Sequence, residues 1–293
     1  VALQKGRISH ALIVFQYGFS IALIIAVIVI SRQTKYALNS SLGVNEDNIV
    51  CLESVHASIQ QKFKVFKDEL LKYNSIEAVS AMMEPPGGEA NDMFPFEMEG
   101  HQADEQNQEY NRIGVFPCDY SFASIFNLQF LSGQNFSKKN TDVEGSGEYI
   151  INEAAMHRLK YTDPAKIIGK EFKLIFSSPG SGIEIPRGKI IGVVEDFHLQ
   201  SLKNTVEPLV FFKRENLWLI NFVISYKPEL QAKALTDMET VWNSLFPEYP
   251  FQYQYVGAMY KKVYKAEFLQ AKLPSIFTFI ALLLLSIPGT VIL

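Results

Sequence analysis

The stretch IVCLESVHASIQQKFKVFKDELLKYNSIEAVSAMM, Ile49 to Met83, carries three readable elements in order. Ile49 to Glu53 is a compact apolar run of strand character. Ile59 to Tyr73 sets Phe63, Phe66, Leu70 and Leu71 at helical spacing, the mark of one buried face. Ile76 to Met83 is a second strand, stopped by Glu84-Pro85-Pro86-Gly87-Gly88. Strand, helix, strand in this order is the first half of a small α/β sandwich and predicts an α+β fold.

A matching unit lies near the other end. Leu209 to Lys213 and Asn221 to Tyr226 read as strands, Leu230 to Phe246 as an amphipathic helix, and Phe251 to Val256 as an alternating strand. The stretch from Pro85 to about Thr205 differs in texture, with short strands predicted at Arg112 to Pro117, Tyr149 to Asn152, Phe172 to Phe176 and Lys189 to Val194. Two subdomains follow: one built from both outer units, the other inserted between them.

Beyond these units the chain turns apolar at both ends. Ala11 to Ile30 (ALIVFQYGFSIALIIAVIVI) and Leu273 to Leu293 (LPSIFTFIALLLLSIPGTVIL) carry no charge, and each has the length a helix needs to cross a bilayer. The first run is too long for the apolar core of a signal peptide and no small-residue cleavage site follows it, so it reads as a retained helix. Gln16, Gly18 and Ser20 fall near one face of it, which fits either a helix–helix contact or a lone anchor. Pro288-Gly289 predicts a kink in the last run. Ser31 to Leu42 and Tyr260 to Gln270 keep helical composition, so stalks are expected next to both runs. Starting at Val1 and stopping within an apolar run, the sequence reads as a piece of a longer polypeptide.

Charge excludes some classes and leaves orientation open. The net charge of -4 and the dispersal of Lys and Arg give no nucleic-acid footprint. Lys5 and Arg7 precede the first run and Arg32 and Lys35 follow it, while Lys261, Lys262, Lys265 and Lys272 precede the second. The positive-inside count leans against an external domain, yet long connections cross largely regardless of charge. Cys51 and Cys118 are compatible with a disulfide or with two buried thiols.

No catalytic pattern emerges. Gly182 to Ile190 (GIEIPRGKI) ends in Gly-Lys, but the glycines are misplaced for a P-loop and Ile follows the lysine. Between Lys72 and Arg112 there is no Lys or Arg, while Glu77, Glu84, Glu89, Asp92, Glu97, Glu99, Asp104, Glu105 and Glu109 are acidic. Such a loop could hold calcium but has no EF-hand spacing, and a solvated acidic loop is the plainer expectation. The five histidines (His10, His56, His101, His157, His198) have no zinc spacing. Asp196 and His198 lie two apart, which fits a turn contact better than an acid–base pair without a nucleophile. The expectation is a chain with no catalytic, cofactor-binding or metal-binding residues.

Four blocks in sequence order carry a family resemblance. ISHALIVFQYGFSIALII (8–25) resembles the membrane start R-x-x-L-V-x-F-Q-F-x-x-S of the MacB/FtsX-type permeases of ABC transporters, especially those of Bacteroidetes-like bacteria. Leu42-Gly43-Val44-Asn45 follows it. Tyr149 to Leu159 (YIINEAAMHRL) with Pro164 and Ile168-Gly169-Lys170 is similar to the family's NE-A-A … DP-x-G-K block. Ile191 to Leu202 (IGVVEDFHLQSL) with Glu207-Pro208 resembles its GVV-x-DFH-x-x-S-L … P block. His10, where a small basic or polar residue is usual, and Pro288 depart from the pattern.

The resemblance implies a non-enzymatic permease subunit working with a separate or fused ABC ATP-binding subunit. It implies a homodimer or pseudo-dimer of permease halves, a periplasmic adaptor or outer-membrane component as further partner, and contact with membrane lipid. ATP-driven motion below the membrane would pass through the stalks to the periplasmic domain, driving efflux or export of peptide, antibiotic or lipoprotein-type cargo. The expected layout is a transmembrane helix at 1–31 and a stalk at 32–48. A membrane-proximal, porter-like α/β subdomain takes 49–84 and 206–258, with an inserted, sabre-like subdomain at 85–205. A second stalk at 259–272 and a transmembrane helix at 273–293 complete it, multi-pass in a bacterial inner membrane with the large domain periplasmic. An extracytoplasmic sensor domain of a two-helix receptor, or an FtsX-like regulator of a cell-wall hydrolase, is the alternative.

Overall fold

Residues 49–83 fold as a strand, a broken helix and a strand. The computed structural model describes residues 48–88, 92–102, 111–139, 145–176, 183–197, 206–215 and 217–263, with isolated positions between 17 and 32. Leu42–Tyr260 form one compact unit, while Val1–Ser41 with Lys261–Leu293 form another.

In the first of these, β1 (Ile49–Leu52) leads into α1 (Ala57–Gln60) and α2 (Phe63–Leu70), then β2 (Ile76–Met82). A turn at Gln61-Lys62 separates the two helices without Gly or Pro, so nothing local announces the break. Far along the chain come β10 (Asn221–Tyr226), a 3₁₀ turn (Pro228–Leu230), α6 (Gln231–Leu245) and β11 (Gln254–Tyr255). The four strands lie in the order β11-β1-β10-β2 and every neighbouring pair is antiparallel. Two strand–helix–strand units interleaved in this way make the split βαβ, ferredoxin-like arrangement. The helices cover one face: Phe66 meets Phe222, Trp242 and Phe246 with ring centroids within 5.9 Å. Ala234, Met238, Val241 and Trp242 line the buried stripe of α6 at helical spacing.

The intervening chain closes on itself. It contributes β3 (Met93–Met98), β4 (Arg112–Cys118), α3 (Phe122–Ile125), β5 (Phe130–Gly133), β6 (Gly147–Asn152), α4 (Glu153–Arg158), α5 (Pro164–Ile167), β7 (Glu171–Leu174), β8 (Gly188–Val194) and β9 (Leu209–Lys213). Pairings run β3–β4–β9–β6–β8–β7 and back to β3, a ring of six strands. The bond between β3 and its neighbours is staggered: residues 93–95 pair with β4 and 96–98 with β7, the shear that barrel closure demands. Opposite Tyr149 and Ile150, β8 carries Ile190 and Gly192, so Ile191 bulges and adds curvature. The interior is filled by alternate side chains, among them Phe96, Ile113, Tyr149, Phe172, Val193 and Phe212. Phe96 stacks on Phe172 at 5.5 Å, and the Tyr149 hydroxyl donates to the Pro186 carbonyl at 2.7 Å.

Three elements differ from the sequence-based expectation. Phe251 to Val256 pairs only over Gln254–Tyr255, because β1 offers a partner edge of four residues. Met93–Met98 is a strand inside the acidic stretch, hidden by Pro95 and by flanking carboxylates. Leu209–Lys213 follows the order of the outer unit in sequence but pairs with β4 and β6, and its Val210 and Phe212 belong to the barrel core.

Among the described residues no helix is long and apolar enough to cross a membrane. The expected membrane helix at 273–293 and most of both stalks lie outside the described residues, although 256–263 is helical. Within the first apolar run the described positions are helical, and Tyr17, Phe19, Ile21 and Ile25 are at least half exposed.

Candidate functional site

The two sequence blocks around 149–159 and 191–197 meet at the start of α4. Asn152, fully buried, accepts from the backbone N–H of Ala155 at 3.0 Å and of Leu209 at 2.9 Å, and donates to the Glu207 carbonyl at 2.9 Å. One side chain therefore caps a helix and pins the entry of β9. Asp196 accepts from the Ala154 N–H at 2.9 Å, adding a carboxylate to the same helix start. This constellation holds the barrel together and places no nucleophile. His198 lies outside the described residues.

A second cluster forms where the ferredoxin-like sheet joins the barrel. The strand-to-strand link is narrow: β2 pairs with β4 only at Met82 and Cys118, with flanking bonds from Asp119 N to Ala81 O and Met83 N to Pro117 O. Beside it, Lys67 on α2 reaches Asp119 at 2.6 Å and the Ser121 hydroxyl at 2.8 Å. The Lys67 ammonium also sits 3.6 Å from the centroid of the Tyr120 ring, a cation–π contact. Lys67 and Asp119 side chains are 4% and 7% exposed. Burial pulls the Lys67 ammonium below the usual lysine range, Asp119 opposes that pull, and nearby Lys138 adds to it by like-charge repulsion.

A cavity of about 310 Å³ opens beside this pair. Its walls carry Lys64, Lys67, Lys138, Lys213 and Arg214 against Asp68, Asp119 and Glu215. Phe63, Leu71 and Tyr120 supply the apolar part of the lining. The ferredoxin-like unit provides α2, and the barrel provides the ends of β4 and β9, so the cavity belongs to both.

The sequence matches no known family profile, and no curated protein matches it. Among solved structures, the periplasmic region of MacB from Actinobacillus actinomycetemcomitans superimposes with a TM-score of 0.51 at 10% identity, covering 78% of this chain and 97% of that one. The described domain has the MacB periplasmic fold. The extracellular domain of the noncanonic ABC-type transporter YknZ from Gram-positive bacteria overlaps with a TM-score of 0.44 at 10% identity, over 70% and 97% of the two chains. At that score it adds no argument.

Within the MacB-like fold the remaining sequence candidates find structural places. Gly188 and Lys189 of the Gly-Lys match lie in β8 and pair with β6. Glu97 bonds Arg187 and Glu99 bonds Lys170, each at 2.6 Å, so part of the acidic stretch staples β3 to the barrel's outer loops. Glu89, Asp104, Glu105 and Glu109 lie outside the described residues. His56 stacks on Tyr249, His101 packs against Phe96, and His157 faces Glu153. Among the described residues no group of three or more His, Cys, Asp or Glu is placed to hold a metal. Cys51 and Cys118 are free, buried thiols. Sequence reasoning missed the Lys67–Asp119 pair. Lys67 looks like a solvated residue of an amphipathic helix, and its partner lies 52 positions away.

Proposed function

We propose that this chain is a permease subunit segment of an ABC transporter, which couples ATP hydrolysis by a separate ATP-binding subunit to movement of an extracytoplasmic domain. The observation that carries the reading is the MacB periplasmic fold, which covers most of the chain and is bracketed by uncharged runs of membrane length. Helical residues of the first run that keep Tyr17, Phe19, Ile21 and Ile25 exposed also favour a lipid-facing helix, since exposed apolar stripes need an apolar partner.

In this reading 1–31 and 273–293 are membrane helices, 32–48 and 259–272 are stalks, and the domain stands in the periplasm of a bacterial inner-membrane protein. The ferredoxin-like unit is the membrane-proximal subdomain and the barrel is the inserted one. The protein carries out no chemistry of its own: it transmits motion. The partners are the ATP-binding subunit, a second permease copy or half, and a periplasmic adaptor or outer-membrane component. The cargo class is peptide, antibiotic or lipoprotein.

The test is Lys265→Pro in the intact transporter reconstituted with the ATP-binding subunit that copurifies. Proline inside a helix costs about 3 kcal/mol, so ATP hydrolysis should continue while coupled transport is lost. Undiminished coupling would overturn the stalk mechanism. Copurification of a kinase or of a cell-wall hydrolase, with no ATP-binding subunit, would overturn the permease reading in favour of a sensor or an FtsX-like regulator.

A further inference from the structure

The cavity beside Lys67 has a charge imbalance that the protein does not resolve internally. Two of its three carboxylates are committed: Asp68 pairs with Lys64 at 2.9 Å and Asp119 with Lys67 at 2.6 Å. That leaves Glu215 against Lys138, Lys213 and Arg214. Lys213 is only 6% exposed, and its ammonium donates to the carbonyls of Ser137 and Lys139. Among the described residues neither Lys213 nor Lys138 has a carboxylate partner. A buried ammonium satisfied only by carbonyls keeps its full charge uncompensated, which is costly in the free protein. An ammonium also has three donors, and carbonyls take two of them here.

We propose that this cavity is a binding site for a phosphate group carried on a small, partly apolar molecule. A phosphate supplies two negative charges and several acceptors at once, which suits Lys138, Lys213 and the planar fork of Arg214 better than a single carboxylate does. The cavity volume of about 310 Å³ lies within the range of small-ligand pockets. Phe63, Leu71 and Tyr120 offer an apolar wall to whatever the phosphate is attached to. Because α2 and the ends of β4 and β9 line the same space, a bound phosphate would touch both the ferredoxin-like unit and the barrel. It would tie them together at the narrow β2–β4 link. The inference stands on the cavity alone and does not depend on the permease reading.

A soluble phosphate ester and a lipid headgroup present the same group. Three probes separate them in the full chain: inorganic pyrophosphate, glycerol 3-phosphate, and lipid nanodiscs containing phosphatidylglycerol compared with phosphatidylcholine alone. Lys138 is exposed, so Lys138→Glu should fold normally. Lys166→Glu, an equal charge change on an exposed residue outside the cavity, is the control. Saturable calorimetric binding of at least one probe is expected, weakened about tenfold by Lys138→Glu and unchanged by Lys166→Glu. Binding of glycerol 3-phosphate assigns a soluble ester. Binding seen only with phosphatidylglycerol nanodiscs assigns a lipid headgroup. No saturable binding of any probe into the millimolar range, or equal weakening by both substitutions, would overturn the proposal.

Discussion

Lys67 and Asp119, 52 residues apart in sequence, meet at 2.6 Å with both side chains almost wholly buried. The lysine belongs to the helix that covers the ferredoxin-like sheet. The aspartate follows the last residue of the barrel strand that pairs with that sheet. Ser121 completes the shell, its hydroxyl accepting from Lys67 and its backbone N–H donating to Asp119 at 2.9 Å. A buried ion pair contributes little net stability over an apolar replacement, because desolvation of both charges offsets their attraction. What it does supply is a strong penalty for any arrangement that separates the partners. At a joint with a single strand-to-strand residue pair, that penalty fixes how one half is set against the other.

The pair is therefore expected to behave asymmetrically on mutation. Asp119→Ala leaves a buried ammonium without its counter-charge and should cost about 3–5 kcal/mol. Lys67→Met should cost a similar amount by stranding the carboxylate. The double substitution Lys67→Met with Asp119→Leu should recover most of that loss. Denaturant unfolding, followed by the fluorescence of buried Trp242, measures all three. Additive losses in the double variant would contradict a coupled pair.

Gly188 should be intolerant of any side chain. A Cβ there would lie 1.7 Å from the Gly147 carbonyl oxygen across the β6–β8 ladder, and the nearest listed obstacles are all backbone atoms. Backbone cannot yield as a flexible side chain does, so Gly188→Ala is expected to cost roughly 3 kcal/mol or more. The damage should be local to the barrel. Amide exchange should accelerate in β6 and β8 and change far less in β1 and β10, whose core is formed by separate residues. Uniform loss of protection across both clusters would show that the two parts unfold as one.

The ferredoxin-like elements were legible because each has its own local signal. Phe63, Phe66 and Leu70 mark one helix face, and Asn221–Tyr226 is a plain apolar strand with the bounds the sequence predicts. The barrel was harder. Its closure depends on β9 pairing in parallel with β4, a contact between chain segments about a hundred positions apart that no periodicity encodes. Met93–Met98 was obscured by Pro95, which is tolerated because the strand changes partner from β4 to β7 at that point. The motif blocks were visible as words, but their work is structural: Asn152 and Asp196 serve the start of a helix. The seam cavity could not be read, since its cations come from three separate segments and look like ordinary surface lysines one at a time.

The two thiols give the last prediction. Cys51 lies on β1 and Cys118 on β4, with β10 and β2 between them. Three strand steps of roughly 4.8 Å put their backbones about 14 Å apart, twice the separation a disulfide spans. Burial pushes both thiols above the ordinary value of 9.0, and Glu53 beside Cys51 and Asp119 beside Cys118 push further the same way. Both should resist alkylation by iodoacetamide at pH 8 in the folded protein and react only on unfolding. The sign of the linkage follows. A folded pKa above the unfolded one means that the native state holds its proton longer, so the contribution is full below pH 9.0 and is lost as pH rises beyond it. Stability should therefore fall above that pH by up to about 1.4 kcal/mol per pH unit for each thiol. The Cys51→Ala, Cys118→Ala variant should show a flatter alkaline limb in denaturant unfolding. An identical limb in both proteins would mean that the thiols ionise as freely in the native state as in the unfolded chain.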